Sequence, residues 1–287
     1  MFSAAEKFLA QAPIPLLGLI VFGLLIGAMQ IGRVLRHRIL QWEGKEAGND
    51  ESYIVSGALS LLALLLGFTF GLAIDRYDHR RALTLEEANA IGTTYLRAQL
   101  LEEPDRGRVS TLLRDYAENR LALAQATDEA TRNRLLTQSD DHQIRLWQAT
   151  ATAVRPIQNS TISRPLIEAM NTTIDAGAAR VAARRSHVPP RVLIVLLIYM
   201  TISAFILGFV MSRSKRSAPA ILLALFASAY LLILDIDRPT GGGIREAQTP
   251  MEDVIAMIRT HPPGRFAAPD VQPAGGARAA STASVPD

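Results

Sequence analysis

Residues 52–81 read SYIVSGALSLLALLLGFTFGLAIDRYDHRR. Ser52–Ile74 carries no charge at all, and from Asp75 onward nearly every residue is ionisable. A helix rises about 1.5 Å per residue, so about 20 apolar residues cross a ~30 Å hydrocarbon core, and this stretch is long enough to do so. Three more uncharged stretches accompany it: Phe8–Gly32, Val192–Ser212 and Ser217–Leu234. The first of these is too long for a secretory signal. Lys7 makes a weak leading charge, and Arg33, Arg36 and Arg38 follow directly, so it reads as a retained span.

Composition agrees with that reading. The chain has 287 residues, 49% of them hydrophobic and 20% charged. Its mean hydropathy is +0.16, which requires apolar blocks set against a charged remainder. The absence of cysteine excludes disulfides, thiolate catalysis, iron–sulfur clusters and Cys-ligated zinc. A formal net charge of +3 gives no nucleic-acid footprint. Gly23–Gly27 and Gly67–Gly71 form two G-x-x-x-G pairs, which either bring helices together in lipid or reflect the frequency of glycine in membrane helices.

The fold class expected is all-α: four transmembrane helices with a helical extramembrane domain between spans two and three. The division is 8–74 for spans one and two, 75–191 for the domain, and 192–234 for spans three and four. A membrane-proximal segment at 235–260 and a disordered tail at 261–287, rich in Pro, Gly, Ala and Ser, complete it. In the domain, Arg81–Leu101 continues the second span as a helix, and Glu103–Gly107 is a turn. Val109, Leu112, Leu113, Tyr116 and Leu123 recur at helical spacing. Leu135–Val154 gives a third helix stopped by Pro156, and Pro165 opens a fourth that ends before Pro189-Pro190.

Enzyme signatures are missing. The five histidines lie apart, and no G-x-S-x-G, Walker or dinucleotide motif occurs. Ser212-x-x-Lys215 matches a catalytic Ser/Lys pair only formally. The chain is therefore read as a non-enzyme without cofactor or metal. Two charged groups remain. In Asp75–Arg81 and its continuation, Arg76, Arg80 and Glu87 share about one helix face, as, less strictly, do Asp75, Asp78 and Glu86. Such a helix either rings a channel mouth when several copies assemble or meets lipid headgroups. After span four come Asp235, Asp237 and Arg238. Either aspartate is expected to pair with an arginine at the exit of span two, tying the two spans together.

These residues resemble a family. Leu66–Tyr77 with Arg80 is similar to the second transmembrane helix of bestrophins and its charged exit. Asp75–Arg81, Glu87–Thr93 and Tyr95-Leu96-Arg97, together with Asp237-Arg238-Pro239 and Gly243, resemble the bacterial bestrophin-like family of unknown function. The resemblance implies a multi-pass protein of the bacterial inner membrane. It further implies a homo-oligomer, a pentamer, whose second helices line a pore for small anions. Its hydrophobic neck would fall on Ser60, Leu64 and Phe68, of which Ser60 departs from the apolar pattern. The i,i+4 spacing puts all three on one face, which either gates by dewetting or faces lipid or another helix.

Some bestrophins hold calcium after the fourth span. Here Asp235, Asp237, Glu246, Glu252 and Asp253 are available, with Arg238 among them, a poor set for calcium. Basic residues flank both sides of the membrane, so the positive-inside rule does not fix orientation; the family's arrangement places the helical domain in the cytoplasm. Two functions follow: an oligomeric ion channel, or a non-conducting membrane scaffold or sensor whose helical domain binds a partner.

Overall fold

The computed structural model describes residues 12–43, 51–210, 217–239 and 242–266. These form the helices α1 (Ile14–Glu43), α2 (Glu51–Ala98), α3 (Asp105–Gln125), α4 (Glu129–Val154), α5 (Ser163–Arg185), α6 (Pro190–Val210), α7 (Ser217–Asp237) and α8 (Thr249–Thr260). A single 3-10 turn, Arg155–Ile157, follows α4 where Pro156 removes a donor. The start of the first apolar stretch at Phe8, the loop residues Arg213, Lys215 and Arg216, and the tail beyond Phe266 lie outside the described residues.

Four of the described helices are long and apolar enough to cross a membrane, contributed by α1, α2, α6 and α7. Their core is built at helical spacing. Leu17, Val21, Leu25 and Met29 form one edge of α1 and meet Leu196, Met200, Ala204 and Leu207 of α6, with Leu62 and Leu66 of α2 and Tyr230 and Ile233 of α7 closing the bundle. α1 and α6 approach closely enough to need glycine. A Cβ on Gly208 would strike the Met29 carbonyl, and one on Gly32 the Phe205 carbonyl. Gly23, Gly27, Gly67 and Gly71 face open space, so neither G-x-x-x-G pair packs helices within this chain. The contact belongs to Ala28–Gly32 and Ala204–Gly208 instead, which keep the same small-x-x-x-small spacing.

Polar bonds define the two ends of the bundle. At one end Arg36 donates to the Phe209 and Val210 carbonyls (2.6 and 3.1 Å), capping the C-terminus of α6, and its guanidinium lies 5.7 Å from the Phe209 ring centroid. At the other end Arg238, just past α7, donates to the Ala12 carbonyl ahead of α1 (2.7 Å). There Asp237 accepts from the Val188 amide ahead of α6 (2.8 Å). The helical extension grows from this second end.

α2 does not stop at the charged exit. No proline lies between Ile54 and Ala98, and Arg, Ala, Leu and Glu favour helix through Asp75–Glu87. The result is a single helix of 48 residues, about 72 Å long at 1.5 Å per residue. Beyond the membrane, Ile91 and Tyr95 of α2 pack with Leu113 and Tyr116 of α3, Leu146 of α4 and Met170 of α5. α4 is capped by Asp128, whose carboxylate accepts from the Thr131 amide (2.7 Å).

α8 is absent from the sequence reading, although Pro250 in its first turn and Met251, Val254, Ile255 and Ile258 at helical spacing announce it. It closes the second core, and the Tyr95 hydroxyl donates to the carbonyl of His261 just beyond it (2.5 Å). Residues 263–266 continue as a turn, with the His261 and Phe266 rings 5.4 Å apart, so the structure describes the first residues of the segment read as a disordered tail.

Candidate conduit face and its buried anchors

The face of α2 opposite its packed side is free in the single chain. Leu62, Leu66, Thr69 and Ala73 are buried. Ser60, Leu64 and Phe68 point the other way and are exposed, Leu64 by 52% and Phe68 by 66%. Gly57, Gly67 and Gly71 lie on the same side with open space above them. Of the four apolar windows, that of α2 is the least covered, 22% buried against 28%, 39% and 39%. The exposed stripe runs past the membrane level through Asp75, Asp78, Glu86 and Asn89 to Leu96.

The charged exit divides its residues by face. Asp75 and Asp78 are exposed, whereas Arg76 turns aside to donate to the Ser186 hydroxyl. Arg80 points inward, 2% exposed. Its Nε donates to Glu246 (2.5 Å) and its Nη2 to the Ile236 carbonyl at the end of α7 (2.8 Å). Arg184 of α5 meets the other oxygen of Glu246 (3.2 Å).

This corrects the expected partner: spans two and four are tied through Arg80, but to Glu246 and a backbone carbonyl rather than to Asp235 or Asp237. Both aspartates are held by nearby backbone. Asp235 accepts from the Gly243 amide (2.6 Å). Asp237 accepts from Val188 and lies 3.6 Å from His187 Nδ1. Gly242 lies back against the end of α7, where a Cβ would sit 2.5 Å from the Asp235 carbonyl, and Glu246 four residues on meets Arg80.

With Glu246 bonded to two guanidiniums and Glu252 and Asp253 exposed on α8, the five carboxylates do not converge. Among the described residues no group of three His, Asp or Glu side chains is placed to hold a metal ion, and the donor set does not fit calcium.

A second buried charge group lies about two turns further along α2. Glu87 is fully buried. Its Oε1 accepts from Arg120 Nε (2.5 Å) and the Tyr116 hydroxyl (3.2 Å), and its Oε2 from Arg180 Nη1 (2.6 Å). Arg120 also donates to the Gly177 carbonyl (3.1 Å), and Arg180 to the Gln248 side chain. Gly177 allows this crossing, because a Cβ there would collide with the Tyr116 hydroxyl. Burial, then the Glu87 carboxylate, pushes the Tyr116 hydroxyl up to about 12. The sequence placed Glu87 on the face of Arg80 but gave no sign of Arg120 and Arg180 as its partners, which come from helices far along the chain.

The bestrophin-like domain matches residues 22–250, well over half of the chain. The chain belongs to the bestrophin-like family. No curated protein sequence matches it. Among solved structures it is similar to a bacterial bestrophin homolog from Klebsiella pneumoniae phased with zinc, at 15% identity and a TM-score of 0.59, over 85% of this chain and 95% of that one. Two single-site variants of the Klebsiella homolog match similarly. One has 13% identity and a TM-score of 0.62, over 84% and 96% of the two chains. The other has 16% and 0.58, over 91% and 97%. At these identities the likeness establishes the fold: an all-helical bestrophin-like membrane protein.

Proposed function

We propose that this bestrophin-like chain assembles as a homo-oligomer, a pentamer by resemblance, that conducts small ions along the exposed stripe of α2. The observation that carries the reading is the stripe itself. Ser60, Leu64 and Phe68 lie directly opposite the packed face, on the least covered of the four membrane helices. Copies arranged about an axis beside α2 would bring Leu64 and Phe68 together as an apolar neck, which gates by dewetting. The glycines at 67 and 71 would let neighbouring helices approach.

Exposed apolar side chains above the membrane level support assembly as well. Leu85 and Leu96 of α2, Leu100 just past its end, and Ile144 and Trp147 of α4 are 43–61% exposed, where no lipid covers them. By resemblance to the family, the helical domain would lie on the cytoplasmic side of the inner membrane. Of the arginines at the far end, Arg36 serves to cap α6.

The test is flux of potassium and of chloride from liposomes holding the purified protein, compared with Leu64→Ala and Phe68→Ala. Wild type should leak more than empty liposomes, and both truncations should raise the rate by widening the neck. If all three proteins, folded and inserted, are as tight as empty liposomes, the conduit reading fails. The four helices are then an anchor for a partner-binding domain.

A further inference from the structure

We infer that the conduit admits cations in preference to anions, through the exposed carboxylates of Asp75 and Asp78. The inference rests on the conduit reading above and reverses the anion selectivity that family resemblance alone implies. Its basis is the angular position of each charge on α2. A helix turns by about 100° per residue, so directions can be referred to Leu64. Ser60 and Phe68 then lie roughly 40° to either side, Asp75 roughly 20° off, Asp78 and Glu86 roughly 40° off. All three carboxylates are exposed and share the stripe with the neck.

No arginine or lysine joins them. Between Ser60 and Thr93, no arginine or lysine of α2 falls within roughly 90° of Leu64, and the nearest basic side chain is the exposed His79, roughly 60° off. Arg76, roughly 120° away, is bonded to Ser186; Arg80, roughly 160° away, is buried on Glu246; Arg81 points roughly 100° off. In a chain whose basic residues slightly outnumber its acidic ones, 30 to 27, the stripe between Ser60 and Thr93 carries three carboxylates and no arginine or lysine. The fold turns the Arg76 and Arg80 guanidiniums away from the stripe and leaves the Asp75 and Asp78 carboxylates on it.

Repeated around an axis, Asp75 and Asp78 form rings of negative charge about two and about three turns past Phe68. An ion that sheds water at the neck meets this field on one side of it. The field concentrates cations and excludes anions, as acidic rings do in cation channels. The carboxylates act on a passing ion through their field and hold none.

The experiment is current through planar bilayers of phosphatidylcholine containing the full-length protein under a tenfold potassium chloride gradient. The reversal potential should take the sign set by potassium. In Asp75→Asn/Asp78→Asn the potassium-to-chloride permeability ratio should fall by about tenfold in 0.1 M salt, where the ~10 Å screening length leaves the ring effective. Glu252→Gln, which removes an exposed charge from α8, should leave the ratio unchanged. A wild-type potential of the sign set by chloride overturns the inference and leaves the conduit standing. Cation selectivity that survives in the double variant overturns the assignment to Asp75 and Asp78. No current of either ion from folded, inserted protein overturns the conduit itself.

Discussion

Replacing Glu87 with glutamine keeps the side chain's shape and one acceptor oxygen but removes the charge that two buried guanidiniums face. Glu87 is 0% exposed, and Arg120 and Arg180 are each 2% exposed. Arginine does not shed its proton in this pH range, so both cations stay charged after the substitution. Breaking a buried pair from one side costs about 3–5 kcal/mol, because the remaining charge stays desolvated. The Gly177 carbonyl and Gln248 still accept from the arginines, which places Glu87→Gln near the lower end, about 3 kcal/mol. For a chain of this size, 1 kcal/mol moves the midpoint by about 2–4 °C, so the variant should melt roughly 6–12 °C below wild type. Far-UV circular dichroism in detergent, with the fluorescence of Trp147 on α4 as a local probe, measures it. Glu87→Leu combined with Arg120→Met and Arg180→Met should recover much of the loss, since apolar groups of similar volume replace buried ions well. A Glu87→Gln protein melting within about 2 °C of wild type, under 1 kcal/mol, would refute the reasoning.

Gly208→Ala should destabilise the α1–α6 contact by about 1–3 kcal/mol, because the added methyl meets the Met29 backbone. Gly23→Ala, with open space above it, should change the melting temperature little, and thermal scans of the two variants side by side check both. Tyr116→Phe should cost about 1 kcal/mol at neutral pH through the lost bond to Glu87. The folded value of Tyr116, about 12, stands above its ordinary value of 10.0. Its contribution is therefore complete below pH 10 and lost as pH rises toward 12. Denaturant midpoints across that range should fall more steeply for wild type than for the phenylalanine variant.

How far each feature could be read in advance depended on the sequence distance of its partners. Charge-free length alone identified the membrane helices, and the unbroken run of helix formers after Asp75 gave the continuation of α2. Helical angle even separated Arg80 and Glu87, now buried, from Asp75, Asp78 and Glu86, now exposed. The partners on the buried side were not legible. Arg80 finds Glu246 and Glu87 finds Arg120 and Arg180 because α3, α5, α7 and the Gly242–Glu246 segment converge there, which no local pattern encodes. Asp235 and Asp237 were the expected partners but are captured by backbone amides, a competition that a count of charges does not see. Glycine spacing also misled. The G-x-x-x-G pairs face outward, while Gly32 and Gly208, each paired with an alanine, make the contact.

Both halves of the molecule meet on one rod. The face of α2 opposite Leu64 and Phe68 carries Leu66 and Ala73 in the membrane, then Arg80, then Glu87, then Ile91 in the extension. An unbroken helix transmits rotation about its axis over its whole length, so whatever fixes the azimuth of Glu87 also fixes that of the proposed neck. Arg80 and Glu87 are the two points on that rod held by charge-assisted bonds from α5, α3 and the Gly242–Glu246 segment. These bonds are directional, whereas an apolar contact between helices in lipid tolerates rotation. The buried arginines therefore orient the stripe rather than line it. A change in the helical domain that displaced Arg180 from Glu87 would reach the neck as a turn of α2, through one continuous element and without a relay of loops.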